Sequence, residues 1–356
     1  MFREGRRHIR LRSFTALSAS ETATRRSHRS FAERLGIDSD AVSSLEPEHP
    51  VARMVVRVLI AVLVVGFLTL ALVKEWDRIA AIDWRFEPAW LALCVVSLIA
   101  FQLAHIEIWR LMLKALGGDI REPQARTIWS ATLLARYVPT SALMAVGRVA
   151  LSEREGVAKR VTLASVAYEF ALTCISALAL CAYLLWRLPA LDDHVWLCWL
   201  ATAVPIVGLV CLHPAIFHRF TDYALTRMGR PRLPLSLPFR RVFEFFVLYV
   251  GSFVLAGISV LAMAHALHGL APGDTYAAIA SYSLGYVTGV IAFVIPGSLG
   301  AREAGVALGL SAVLPGAVAV AVAIAVRLLQ MGVEVLYAVV TPVLARRSER
   351  RSLTAR

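Results

Sequence analysis

From residue 54 onward the chain is a succession of long apolar runs divided by short charged stretches. Runs at 54–73, 88–113, 161–185, 196–212, 242–267 and 317–344 are each long enough for a helix to cross a hydrocarbon core, which takes roughly 20 residues. Another run, 276–295, ends at a Pro/Gly-rich stretch, and 128–138 and 306–314 are too short to span. Residues 1–50 are rich in Arg, Ser, Thr and Glu without lasting periodicity and read as a disordered basic tail. Residues 54–344 read as one transmembrane domain, and 345–356 as a second basic tail. The predicted fold is all-α: a polytopic membrane helical bundle with two Pro/Gly-broken re-entrant segments.

The two breaks carry the strongest signal. Residues 293–304 read FVIPGSLGAREA. Pro296 has no backbone N–H, and Gly297 and Gly300 accept backbone angles that other residues resist, so an arriving helix must break here. Arg302 and Glu303 follow at once. Broken backbone at membrane depth is tolerated only inside protein or beside a wet cavity, and an intramembrane charge points to function. The bland alternatives are an Arg302–Glu303 pair that only ties helices together, or a solvated loop. The second break is at Pro139, where the run 128–138 ends and the chain turns back through Arg148, with Arg136 on the other side.

Composition sharpens this picture. Of 356 residues, 58% are hydrophobic, with mean hydropathy +0.66. That excludes a soluble domain. Lys and Arg outnumber Asp and Glu by 37 to 25, a net charge of +12. The excess sits in the tails and between apolar runs, as orientation signals and contacts to anionic lipid would have it, and no nucleic acid is expected. The loop 213–241, with Arg219, Arg227, Arg230, Arg232, Arg240 and Arg241, reads as cytoplasmic. Both termini are expected there too, in a multi-pass protein of the cell membrane. Cys94, Cys174, Cys181, Cys198 and Cys211 all lie in apolar stretches without CxxC spacing or clustered His, so they read as packing residues. No metal or cofactor is expected.

The two broken regions resemble each other: YVPTSALMAVGR begins at Tyr137 and VIPGSLGAREA at Val294. Each joins an apolar run to Pro, then Ser, then Arg. An intramembrane charge follows each Pro at a similar distance, Glu169 in one case and Arg327 in the other. The expected topology runs 161–185 outward and 317–344 inward, an inverted repeat of the kind that builds transporter sites near the midplane. Half-helix N-termini suit phosphate, and Arg148 and Arg302 can each grip a pair of phosphate oxygens. Glu169 and Arg327 either pair with each other across the interface, or Glu169 meets a cationic headgroup, or each faces a wet crevice. Arg110 and Glu107, at the end of 88–113, read as interfacial. Gly285 and Gly289 permit close helix approach, serving either the internal fold or a homodimer.

These residues resemble the lysylphosphatidylglycerol synthase transmembrane region, a flippase-like family. The match is carried by IPGSLGAREAG at 295–305 with the Arg of AVRLL, Arg327, and by YVPTSALMAVGRVALSEREG at 137–156 with Glu169 in AYEFALT. It covers roughly 55–345. The resemblance implies a helical bundle that moves lipids between leaflets, with Arg148, Glu169, Arg302, Glu303 and Arg327 as site residues. Two departures stand out. Ser141-Ala142 and Met144-Ala145 replace the Gly-rich sequence usual after the first Pro, and Glu169-Phe170 replaces Glu-Arg. No acyltransferase-like segment follows Leu344, so the aminoacyl transfer of fused members is not expected. The expected function is a lipid transporter acting on a membrane phospholipid or lipid-linked headgroup. The alternative is a non-transporting membrane partner of a lipid-modifying or glycosyl-transferring enzyme. An intramembrane enzyme built from Glu153, Glu155, Glu169, Arg148 and Arg302 ranks last, for want of a Ser–His pair, HExxH, DxD or metal-ligand spacing. No Walker motif appears.

Overall fold

The computed structural model describes residues 87–133, 142–216, 237–292 and 300–354. The chain divides into two units, Met1–Ala61 and Val62–Arg356, and every described residue belongs to the second. The expected N-terminal tail, the run 54–73 and the breaking residues Pro139, Pro296 and Gly297 lie outside the described residues.

Nine main helices order the rest: α1 (Pro88–Ala115), α2 (Glu122–Leu133), α3 (Ala142–Arg154), α4 (Lys159–Leu185), α5 (Val195–Cys211), α6 (Phe239–Leu267), α7 (Thr275–Ile291), α8 (Ala301–Leu310) and α9 (Gly316–Thr354). The described residues contain no strand. Five segments are long and apolar enough to cross a membrane: α1, α4, Leu191–Cys211, α6 and Gly316–Thr341 of α9. The protein is therefore an all-α, multi-pass membrane protein.

Three helix starts fall three or more residues earlier than the apolar runs suggest, each for a local reason. α2 begins at Glu122, not near 128, because Glu122-Pro123 opens it: proline is pre-set for a first turn, and the carboxylate faces the positive end of the helix dipole. Arg126 pairs with Glu122 one turn on. α6 begins at Phe239, after Pro238, so Arg240 and Arg241 sit in its first turn rather than in the basic loop. Both bond Glu244, at 3.0 and 2.8 Å. α8 begins at Ala301, not 306. Its N-cap Gly300 has φ +80°, a left-handed angle that favours glycine, and Glu303 lies in its first turn. α9 begins at Gly316 and runs on through Thr354, well past the end of the apolar stretch.

The packing repeats itself. α1 lies antiparallel to α6: Trp90 stacks on His265 with centroids 4.4 Å apart, Phe101 meets Phe253, and His105 Nε2 lies 3.1 Å from Ser252 Oγ. α2 packs on α3 as α7 packs on α8, and α3 on α4 as α8 on α9. α4 packs on α6 and α7, while α9 packs on α1 and α2. α5 stands outside this pattern, against α4. Two apolar clusters result. One joins the first half of α1 and the second half of α6 to α7, α8 and α9, through Leu98, Phe253, Val260, Leu310 and Val322. The other joins the remaining halves of α1 and α6 to α2 and α4, through Trp109, Met112, Trp129, Leu172 and Phe245.

The tightest joint is between α7 and α8. In lipid, helices associate through close packing, which small residues permit. A Cβ on Gly305 would lie 2.1 Å from Thr288 Oγ1 and 2.8 Å from Gly285 Cα, and one on Gly285 would lie 2.7 Å from the Arg302 carbonyl oxygen. Thr288 Oγ1 lies 2.8 Å from the Ala301 carbonyl oxygen, pinning the first turn of α8 to α7. Gly285 and Gly289 are thus used inside the fold. Gly305→Val should lower the thermal unfolding temperature in detergent markedly, since overpacking costs about 1–3 kcal/mol or more. Gly332→Ala, with nothing within 4 Å of the added carbon, should leave it unchanged or slightly raised. A scan of both variants by circular dichroism checks this.

Candidate functional site

Four of the five charged candidates come together as two buried ion pairs, one in each cluster of helices. Arg148 of α3 pairs with Glu169 of α4 through Nη1 and Oε2. Glu303 of α8 pairs with Arg327 of α9, 3.2 Å apart. All four are at most 9% exposed. Neither an Arg302–Glu303 pair nor a Glu169–Arg327 pair is the arrangement found. The packing explains the second difference: α4 lies against α6 and α7, and α9 against α1 and α2, so each long helix draws its counter-charge from the short helix that precedes it. The polarity is exchanged between the pairs. In the first, arginine sits on the short helix and glutamate on the long one; in the second, the reverse.

Aromatic rings complete the first pair. The Arg148 guanidinium lies 3.9 Å from the centroid of Trp129 and 5.2 Å from that of Trp109. A desolvated cation over indole gains about 2 kcal/mol from the ring quadrupole. Trp109 is held in turn by a 3.2 Å bond from Nε1 to Ser165 Oγ. Tyr249 of α6 is fully buried, and its hydroxyl has no hydrogen-bond partner among the described residues. The charges of Glu169 and Arg148 both act on it.

The second pair borders a cavity of about 20 Å³, lined by Tyr282, Tyr286, Arg302, Glu303, Arg327 and Gln330 among others. That is room for about one water molecule, far below the several hundred Å³ of a ligand pocket. Arg302 does not join the Glu303–Arg327 pair in a shared bridge of its own; its guanidinium lies 5.2 Å from the Tyr286 ring centroid, on the cavity wall. A polar chain leads away from the cavity. The Tyr282 hydroxyl donates to Gln330 Oε1 at 3.2 Å, and Gln330 Nε2 donates to Glu334 Oε1 at 3.0 Å. Glu334 is 1% exposed.

Several of these residues have no counterpart among the candidates read from sequence. Gln330 and Glu334 follow the candidate Arg327 at helical spacing along one apolar helix, a signal visible in the sequence. Trp109, Trp129, Tyr282 and Tyr286 carry no such signal, because aromatic residues inside an apolar run look like core. Gly300 is placed at the N-cap of α8 as its backbone demands. Arg110 pairs with Glu107 within α1, with Nε 2.9 Å from Oε2 and both side chains part-exposed, in keeping with an interfacial position.

No curated protein matches this sequence. The family model of the lysylphosphatidylglycerol synthase transmembrane region matches residues 54–337, which takes in every described helix except the end of α9. With that match covering most of the chain, and the motif residues Arg148, Glu169, Arg302, Glu303 and Arg327 within it, the protein belongs to the lysylphosphatidylglycerol synthase transmembrane region family.

Proposed function

We propose that this protein moves a phospholipid or lipid-linked headgroup between the leaflets of the cell membrane. The observation that carries this reading is the pair of buried Arg–Glu bridges at corresponding places in a doubled helix layout. Burying two charges costs several kcal/mol per ion, and an apolar pair of similar size often serves stability as well or better. Two such pairs inside a membrane bundle therefore argue for use rather than scaffolding. The layout supports an inverted repeat: α1–α4 correspond to α6–α9, and α1 and α6 run antiparallel. α2 with α3, and α7 with α8, are its re-entrant elements.

The chemistry suits a phosphodiester. Arg302 and Arg327 are permanently charged, forked donors on one cavity, and an anionic oxygen pair competes with Glu303 for Arg327. Glu169 in the other half offers a carboxylate to an amine-bearing headgroup. The cavity is too small for a headgroup as it stands, so the reading requires a more open state. Charge placement sets the orientation. Lys114, Arg121, Lys159, Arg160, Arg240 and Arg241 gather at the end formed by the C-terminus of α1 and the starts of α4 and α6. That end is cytoplasmic by the positive-inside rule. Both termini lie on that cytoplasmic side in this reading. In this reading the chain changes no covalent bond of the lipid.

Reconstitution in liposomes with fluorescent phospholipids of several headgroups tests it. Transfer above protein-free liposomes is expected, and it should fall at least tenfold in Arg302→Ala and Glu169→Gln. Absence of transfer for every headgroup, with a soluble transferase co-purifying, would instead favour the partner-subunit reading. A second test separates use from scaffolding. Glu303→Leu alone should destabilise by about 3–5 kcal/mol, because it removes the carboxylate that faces a buried arginine. The double replacement Glu303→Leu with Arg327→Met should regain much of that stability in thermal unfolding yet transfer no lipid. Wild-type transfer by the stable double variant would reduce this pair to a structural tie.

A further inference from the structure

One residue touches both halves of the site. Tyr286 of α7 lies on the wall of the cavity beside Glu303 and Arg327. Its hydroxyl donates to Thr173 Oγ1 of α4 at 3.0 Å. Thr173 sits one turn beyond Glu169 and passes its own proton back to the Glu169 carbonyl oxygen at 2.8 Å. The Tyr286 ring meets Phe253 of α6 edge-on, centroids 5.0 Å apart, and carries the Arg302 guanidinium at 5.2 Å. Arg302 reaches that ring across Gly289, where a Cβ would lie 2.5 Å from Arg302 Cγ. One tyrosine thus bonds α4 at its tip, α6 at its edge and α8 at its face.

We infer that Tyr286 is the positioning residue that latches the two half-sites together, and that release of its hydroxyl from Thr173 opens the way between the cavity and Glu169. The purpose of the latch rests on the lipid-moving reading; its geometry does not. A neutral hydroxyl–hydroxyl bond adds only modest net stability, so it can hold a closed state and still yield at ordinary temperature. Tyr286→Phe keeps both ring contacts and removes only the bond across the interface. Thr173→Val removes the same bond from the other side.

Cys174, the residue next to Thr173, gives a native readout, since its side chain is neither fully buried nor exposed. The exposed Cys211 is first replaced by Ser. Proteoliposomes of egg phosphatidylcholine and phosphatidylglycerol are then treated with a small water-soluble methanethiosulfonate, and modification of each cysteine is followed by peptide mass spectrometry. Cys174 should react several-fold faster in both Tyr286→Phe and Thr173→Val than in the Cys211→Ser parent. Cys181, 0% exposed and farther along the same helix, should not change. An unchanged Cys174 rate in both variants overturns the latch. So does a parallel rise at Cys181, which reports general loosening. Transfer of fluorescent phosphatidylglycerol by the parent is read in the same vesicles. If the parent transfers no lipid while Cys174 responds, the lipid reading falls and the latch stands. If the parent transfers lipid while Cys174 stays silent, the latch falls and the lipid reading stands.

Discussion

A charge surrounded by hydrocarbon must be matched, and most of this structure follows from where the matches are made. Arg148 and Glu169 answer each other, as do Glu303 and Arg327. Each pair joins a ten- to thirteen-residue helix to the long helix that follows it. Neither short helix is long enough to find a place in a membrane by its apolar length alone. The ion pair and the neighbouring helix hold it at depth. The first short helix is further fixed by indole rings around its arginine, the second by glycine contacts along α7. Two different solutions thus serve one geometric requirement.

The exchanged polarity of the pairs has an electrostatic meaning. If both short helices carried arginine, the two halves would present like charges toward the centre of the bundle. Arginine on one short helix and glutamate on the other leaves the central region with mixed sign. Each pair is also neutral by itself, the less costly condition in a low-dielectric medium.

Much of this was legible in the sequence, and the reasons differ by feature. The spanning helices were legible because an unbroken apolar run of sufficient length has few other structures open to it in lipid. The site charges were legible because Arg148, Glu169, Arg302, Glu303 and Arg327 stand out against apolar neighbours. Helix starts were less so: Glu122, Phe239 and Ala301 lie in polar turns where proline, glycine and carboxylates decide, not hydropathy. The pairing scheme was not legible. Periodicity places Glu169 on a face of its helix but does not say which helix meets that face. GYVTG announced a close approach without naming its partner, which proved to be α8. Tyr286 is the extreme case, a tyrosine among apolar residues with nothing in the sequence to set it apart.

Helix α9 does not stop at the membrane boundary. It continues unbroken from Gly316 to Thr354, 39 residues in all, so at 1.5 Å per residue it measures roughly 58 Å, nearly twice the thickness of the hydrocarbon core. Its last thirteen residues form an arm beyond the apolar segment that ends at Thr341. A tilt of about ten degrees pivoting at Arg327 sweeps the far end through roughly 7 Å, since about 40 Å of helix lies between. A movement too small to see at the ion pair becomes, at the tip of that arm, a displacement the size of a side chain.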